Sequence, residues 1–206
     1  MPKAGISYGP RIKAPDYDQI VEAATTSVMQ TFGVKRPEDF VGKRPEDLLV
    51  KASEIVRQAD AEMALHIDER DEALAHLWFY DPRLGLARTA GLSTMGYRGA
   101  IARVIYGDKK HALPDVQSNE ELAKIGKALK VKRVKDPEAQ LLRAAPIVRA
   151  ARTRRELAVR FMQEAVLALS RKPYDWKPEK IAEHAGVERE LIYKQRATAA
   201  KRHGLA

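Results

Sequence analysis

The chain has 206 residues, enough for one ordinary core or two small ones, and its 45% hydrophobic content argues against wholesale disorder. It has no cysteine, which excludes a disulfide framework, a thiolate metal site and a cysteine nucleophile, and no apolar run approaches the roughly 18 residues that span a bilayer. The net charge of +9 is unevenly spread, with seven basic against seven acidic residues over 1–50, seven against eight over 51–107, and 23 against 13 over 108–206.

Residues 1–15 carry Pro2, Gly5, Gly9, Pro10 and Pro15 with little apolar content, and read as a flexible arm without the apolar core of a signal peptide. Asp16 is the expected N-cap of a helix through "YDQIVEAATTSVMQTF", in which Ile20, Val21, Ala24, Val28 and Phe32 keep helical spacing and Gly33 supplies the stop. "KRPED" then occurs twice, with Pro37 and Pro45 eight apart. Proline in the first turn followed by acids marks two helix starts, the first of them stopped by Gly42. From Pro45 to Tyr80 no further Pro or Gly interrupts an apolar stripe that includes Leu48, Leu49, Ala52, Ile55, Ala59, Met63, Leu74 and Leu77. This predicts one long helix or two in series, with "HIDERDE" as the break and Asp81-Pro82 as the end.

Gly107 closes the next helical stretch, and "DKKHALPDVQ" reads as a linker over 108–118. Ser118 and Glu121, three apart, form a capping box before "ELAKIGKALK". Asp136-Pro137 opens a helix expected to run to about Arg171 with a kink at Pro146, and "KPYDWKP" separates it from two short C-terminal helices.

The second half thus repeats the plan of the first, a long helix and then two short ones around "AG". Ala87, Ala90 and Gly91 in "LARTAGLSTMGYRGAI" recur 95 residues later as Ala182, Ala185 and Gly186 in "IAEHAGVERELIYKQR". A small residue where two helices cross and a glycine able to take positive φ between them are what a tight helix-turn-helix needs. In the later copy Ile181, Ala185, Val187 and Ile192 supply the apolar frame.

These residues resemble the helix-turn-helix superfamily of bacterial DNA-binding proteins, over about 25 residues in each copy. The resemblance implies a recognition helix over 188–203. Its outward positions are Glu188, Arg189, Glu190, Tyr193, Lys194 and Ala197, with Arg189 suited to guanine and Glu188 or Glu190 to a cytosine amino group. Lys194, Arg196, Lys201 and Arg202 suit phosphates, and "ARTRRELAVR" upstream adds positive charge. Gln195 departs from the pattern, standing on the inner face where many members carry an apolar residue. In the earlier copy Ser93 is the expected N-cap and Ser93, Thr94, Arg98 and Arg103 point outward. There Gly96 and Gly99 each cost about 1 kcal/mol relative to Ala, and acidic "HIDERDEA" lies upstream. A structural or dimerising helical pair is the other reading of this copy.

His66 and His76 are ten apart, not the i, i+4 spacing that puts two metal ligands on one helical face. No phosphate loop, Ser-His-Asp order or paired-carboxylate motif stands out, and Trp78, Phe79 and Tyr80 at a helix end read as core.

The expected fold is all-α, with an N-terminal helical domain over 16–107 and a basic C-terminal one over 119–206, each a long helix followed by a helix-turn-helix. The expected function is sequence-specific binding of double-stranded DNA in the cytoplasm, at the nucleoid, by a transcriptional regulator. It involves no cofactor, metal, catalysis or membrane, with a homodimer or protein partner engaged through the N-terminal half. The rival is an architectural or DNA-segregation adaptor that binds DNA arrays and recruits a partner through its acidic half.

Overall fold

The computed structural model describes residues 5–36, 39 and 44–205. Among them are eight helices and no strand, so the fold is all-α. None of the helices is long and apolar enough to cross a membrane.

Helix α1 (Tyr17–Phe32) starts where Asp16 Oδ1 accepts from the Gln19 N–H at 3.1 Å, and Gly33 ends it. The helix start expected at Pro37 and its stop at Gly42 lie outside the described residues. Helix α2 (Pro45–Phe79) is a single element of 35 residues. The break expected at "HIDERDE" does not occur, because neither Pro nor Gly interrupts the backbone ladder there and the charges find partners, His66 with Glu69 at 3.1 Å and Glu72 with Lys132 at 2.8 Å.

Helices α3 (Leu86–Thr89) and α4 (Thr94–Tyr106) follow, and Gly107 caps the second. In α5 (Asn119–Ala128) the Ser118 hydroxyl accepts from the Glu121 N–H at 3.1 Å. The Glu121 carboxylate reaches one residue beyond a standard capping box, to the Gln117 N–H at 2.8 Å. Helix α6 (Pro137–Leu169) is capped by Asp136 and continues through Pro146. Helices α7 (Pro178–Ala185) and α8 (Arg189–Arg202) close the chain.

The helices gather into two compact units, one of residues 1–20 and 62–149, the other of 21–61 and 150–206. The expected boundary at 108–118 is therefore not where the molecule divides. In the first unit Leu74, Leu77 and Phe79 from the end of α2 pack with Leu86 of α3, Ile101 of α4, Leu122 of α5 and Leu141 from the start of α6. In the second, Val28 and Phe32 of α1 pack with Leu48 and Leu49 from the start of α2 and with Phe161, Val166 and Leu169 from the end of α6. Ile181 and Ala185 of α7 and Ile192 of α8 complete that core. The Phe32 and Phe161 rings stack with centroids 3.9 Å apart, an arrangement that adds to simple burial. Each core is thus built from the front of one repeat and the back of the other.

Two segments expected to be loose are parts of the first unit. In the N-terminal arm the Gly9 N–H donates to Pro82 O at 2.9 Å, Ser7 exchanges two hydrogen bonds with the Asn119 side chain, and Ile12 is buried. In the expected linker Val116 is buried and Leu113 packs on the same core. A few apolar anchors and satisfied backbone groups order these Pro- and Gly-rich stretches.

The exchange also redistributes charge. The first unit holds 18 basic and 14 acidic residues and the second 19 and 14, giving +4 and +5. The contrast of −1 and +10 between sequence halves does not survive folding.

Candidate nucleic-acid interface

The two echoes form the same turn. After α7, Gly186 sits at φ 63°, its N–H donates to Glu183 O at 3.2 Å, and the Val187 N–H donates to Ala182 O at 3.1 Å. After α3, Gly91 sits at φ 64°, its N–H donates to Arg88 O at 3.0 Å, and the Leu92 N–H donates to Ala87 O at 2.9 Å. Both are Schellman closures that satisfy the last carbonyls of the short helix through a left-handed residue. Donors and acceptors correspond one for one at the offset of 95. So do the N-caps, Ser93 and Glu188, and the first residues of the following helices, Thr94 and Arg189.

Helix α8 buries Ile192, Gln195 and Ala199 along one stripe, half-buries Leu191 and Ala200, and exposes the remainder. Glu188, Arg189, Glu190, Tyr193, Lys194, Arg196 and Ala197 are all exposed, so the expected reading edge forms one face. Its charges are poised without being locked. The Arg189 guanidinium lies 3.2 Å from Glu179 and 3.9 Å from Glu190, exposed ion pairs of little net stability that a ligand can exchange. Tyr193 lies between Arg189 and Arg196, whose guanidinium carbons are 5.9 and 5.8 Å from its ring centre. Lys201 is exposed beyond them.

Arg202 does not belong to that face. Its guanidinium donates to Glu164 Oε1 at 2.6 Å and to Gln163 Oε1, while His203 Nε2 lies 2.7 Å from Glu164 Oε2. Glu164 is only 3% exposed, and a buried carboxylate left unpaired is strongly destabilising, so Arg202 is held as its counter-ion. The assignment of Arg202 to phosphate is corrected on that ground. The basic run on α6 is similarly committed, with Arg155 2.6 Å from Asp60 and Arg152, Arg154 and Arg160 all engaged.

In the first unit, Ser93 Oγ accepts from the Gly96 N–H at 3.0 Å, and Ser93, Thr94 and Arg98 are exposed on α4. Arg103 requires a correction parallel to that of Arg202. It donates to Asp71 at 2.8 Å and to Asp68 at 3.1 Å, and Asp71, 1% exposed, is also bound by Arg70 at 2.7 Å. The acidic stretch expected to repel phosphates is therefore partly neutralised from within. Met95, 84% exposed, stands on the outward edge beside Thr94. The 95-residue offset, which aligns it with Glu190, is the sequence signal that places it there.

The turn of this pair is gripped from α1. The Tyr17 hydroxyl donates to Thr89 O at 2.6 Å, and its ring lies 2.8 Å from where a Cβ on Gly91 would stand. Among the described residues no cluster of three or more His, Asp or Glu side chains is placed to hold a metal ion. No protein-family model, curated protein or solved structure matches the chain.

Proposed function

We propose that the protein binds double-stranded DNA sequence-specifically, as a transcriptional regulator, with α8 in the major groove. The observation that carries the reading is the repeated turn, matched hydrogen bond for hydrogen bond, followed in α8 by an apolar inner stripe and an exposed edge of base-reading chemistry. Arg189 supplies a bidentate donor for guanine, Glu188 and Glu190 acceptors for cytosine amino groups, and Lys194, Arg196 and Lys201 contacts to phosphate.

Helix α4 is the second reader. Its edge of Ser93, Thr94, Met95 and Arg98 offers hydroxyls and an apolar surface, chemistry suited to thymine methyls, with Arg98 for phosphate or guanine. The two edges differ, so one chain reads an asymmetric, bipartite site, whereas a protein with one reader needs a dimer on a palindrome. A net charge of +4 and +5 on the two units supports contact by both.

Selection of bound duplexes from a random pool tests this reading. Two dissimilar half-sites are expected, and enrichment of nothing overturns it. Footprinting then separates a few discrete operators from the long clustered array of an architectural protein. Arg189→Ala is expected to weaken specific binding by about 1–3 kcal/mol and to relax preference at one base pair. Uniform weakening on all sequences would make Arg189 a phosphate contact instead.

A further inference from the structure

The first unit contains a cleft of about 710 Å³, within the range of small-molecule sites, and both helices of its turn help to form it. Leu86 and Ala87 come from α3, and Thr94, Tyr97 and Arg98 from α4. Ile6, Trp78, Leu113, Val116 and Leu122 give the cleft an apolar floor. Burial holds the Tyr97 phenol well above its ordinary range, so it stays protonated and able to donate.

The polar groups of the lining are unbalanced, with three arginines, Arg11, Arg83 and Arg98, facing one aspartate, Asp115. Arg83 is held by Asp81 at 2.6 Å and by Pro10 O, and Asp115 is engaged within the fold. His111 also lines the cleft, beside Asp108 at 3.4 Å. Among the described residues Arg11 and Arg98 have no carboxylate partner. An apolar, aromatic-walled cavity with two uncommitted guanidinium groups is complementary to an apolar body carrying an anionic group.

We propose that this cleft is a binding site for a small apolar carboxylate or sulfonate, its body on Trp78 and Leu122 and its anionic head on Arg11 and Arg98. A consequence rests on the DNA-binding reading above: Thr94 and Arg98 are shared between cleft and α4 edge, so ligand and DNA oppose each other's binding at the first reader.

The test uses the full chain carrying Trp176→Phe, which leaves Trp78 as its one tryptophan. The probes are 8-anilinonaphthalene-1-sulfonate and its neutral counterpart N-phenyl-1-naphthylamine, with near-ultraviolet circular dichroism confirming native packing. One saturable site for the sulfonate is expected, with energy transfer from Trp78. Arg11→Ala and Arg98→Ala should each weaken it about tenfold, the loss of one charge-assisted contact, and leave the neutral probe unchanged. Equal binding of the two probes, indifference to both arginines, or an unperturbed Trp78 overturns the site. DNA competition by the sulfonate is measured separately, so its absence bears on the coupling and not on the cleft.

Discussion

On α8, Gln195 occupies the place that Ala100 fills on α4, and both are nearly buried, at 9% and 8% exposure. The glutamine Oε1 is buried with no hydrogen-bond partner among the described residues, and an unsatisfied buried acceptor costs about 1–3 kcal/mol. Gln195→Met keeps the volume and removes the orphaned carbonyl. It is expected to raise stability by about 1 kcal/mol, read as an upward shift in Tm, and an unchanged or lower Tm would mean the amide is satisfied in solution. Tyr17 carries a second expectation. Burial, opposed by Arg70 and Arg149, pushes its phenol up to about 12. Between the unfolded range near 10 and that value only the unfolded chain ionises, so the stability Tyr17 contributes is full below about pH 10 and drains away as pH rises towards 12. Denaturant midpoints followed across this window should fall less steeply in Tyr17→Phe than in the parent, once corrected for the hydrogen bond to Thr89.

The two turns, alike in backbone, differ in what surrounds their glycines. Gly186 has only the tip of the Arg57 side chain near its missing Cβ, whereas Gly91 faces the Tyr17 ring at 2.8 Å. Gly186→Ala should therefore cost about 1–2 kcal/mol, the strain of a left-handed alanine. Gly91→Ala should cost more, because the ring must move as well, and a thermal-melt comparison that reversed this order would sink the explanation. Local signals of this kind were legible in the sequence. Asp16, Ser93, Ser118, Asp136 and both turn glycines act as their residue types indicate, and the inner and outer faces of α8 follow from its spacing. The commitments of Arg103 and Arg202 were not legible. Each is fixed by a buried carboxylate 32 or 38 residues earlier in the chain, and nothing local distinguishes such an arginine from a solvated one.

At the scale of the whole molecule, the repeat is plain in sequence but its halves do not fold into separate bodies. Helical periodicity records which face of α2 is apolar and says nothing of which helix covers it, so the exchange between repeats left no local trace. The consequence for fragments is direct. Residues 1–107 contain only the earlier part of each unit, and residues 108–206 only the later part of each. Neither fragment is expected to melt cooperatively alone, while the two mixed should regain helicity and a sharp transition in circular dichroism. A fragment that unfolds cooperatively by itself would contradict the exchanged cores.

The same discontinuity orders events during synthesis. A ribosome delivers the chain from its N-terminus, so the first unit has all its parts once residue 149 has emerged. Val28, Phe32, Leu48 and Leu49 must wait until the end of α6, α7 and α8 have emerged to cover them. Until then the nascent protein displays an apolar surface that invites chaperones. A chain that stops before α8 leaves the second core without Ile192, and that unit is expected to open locally and to be cut there by proteases.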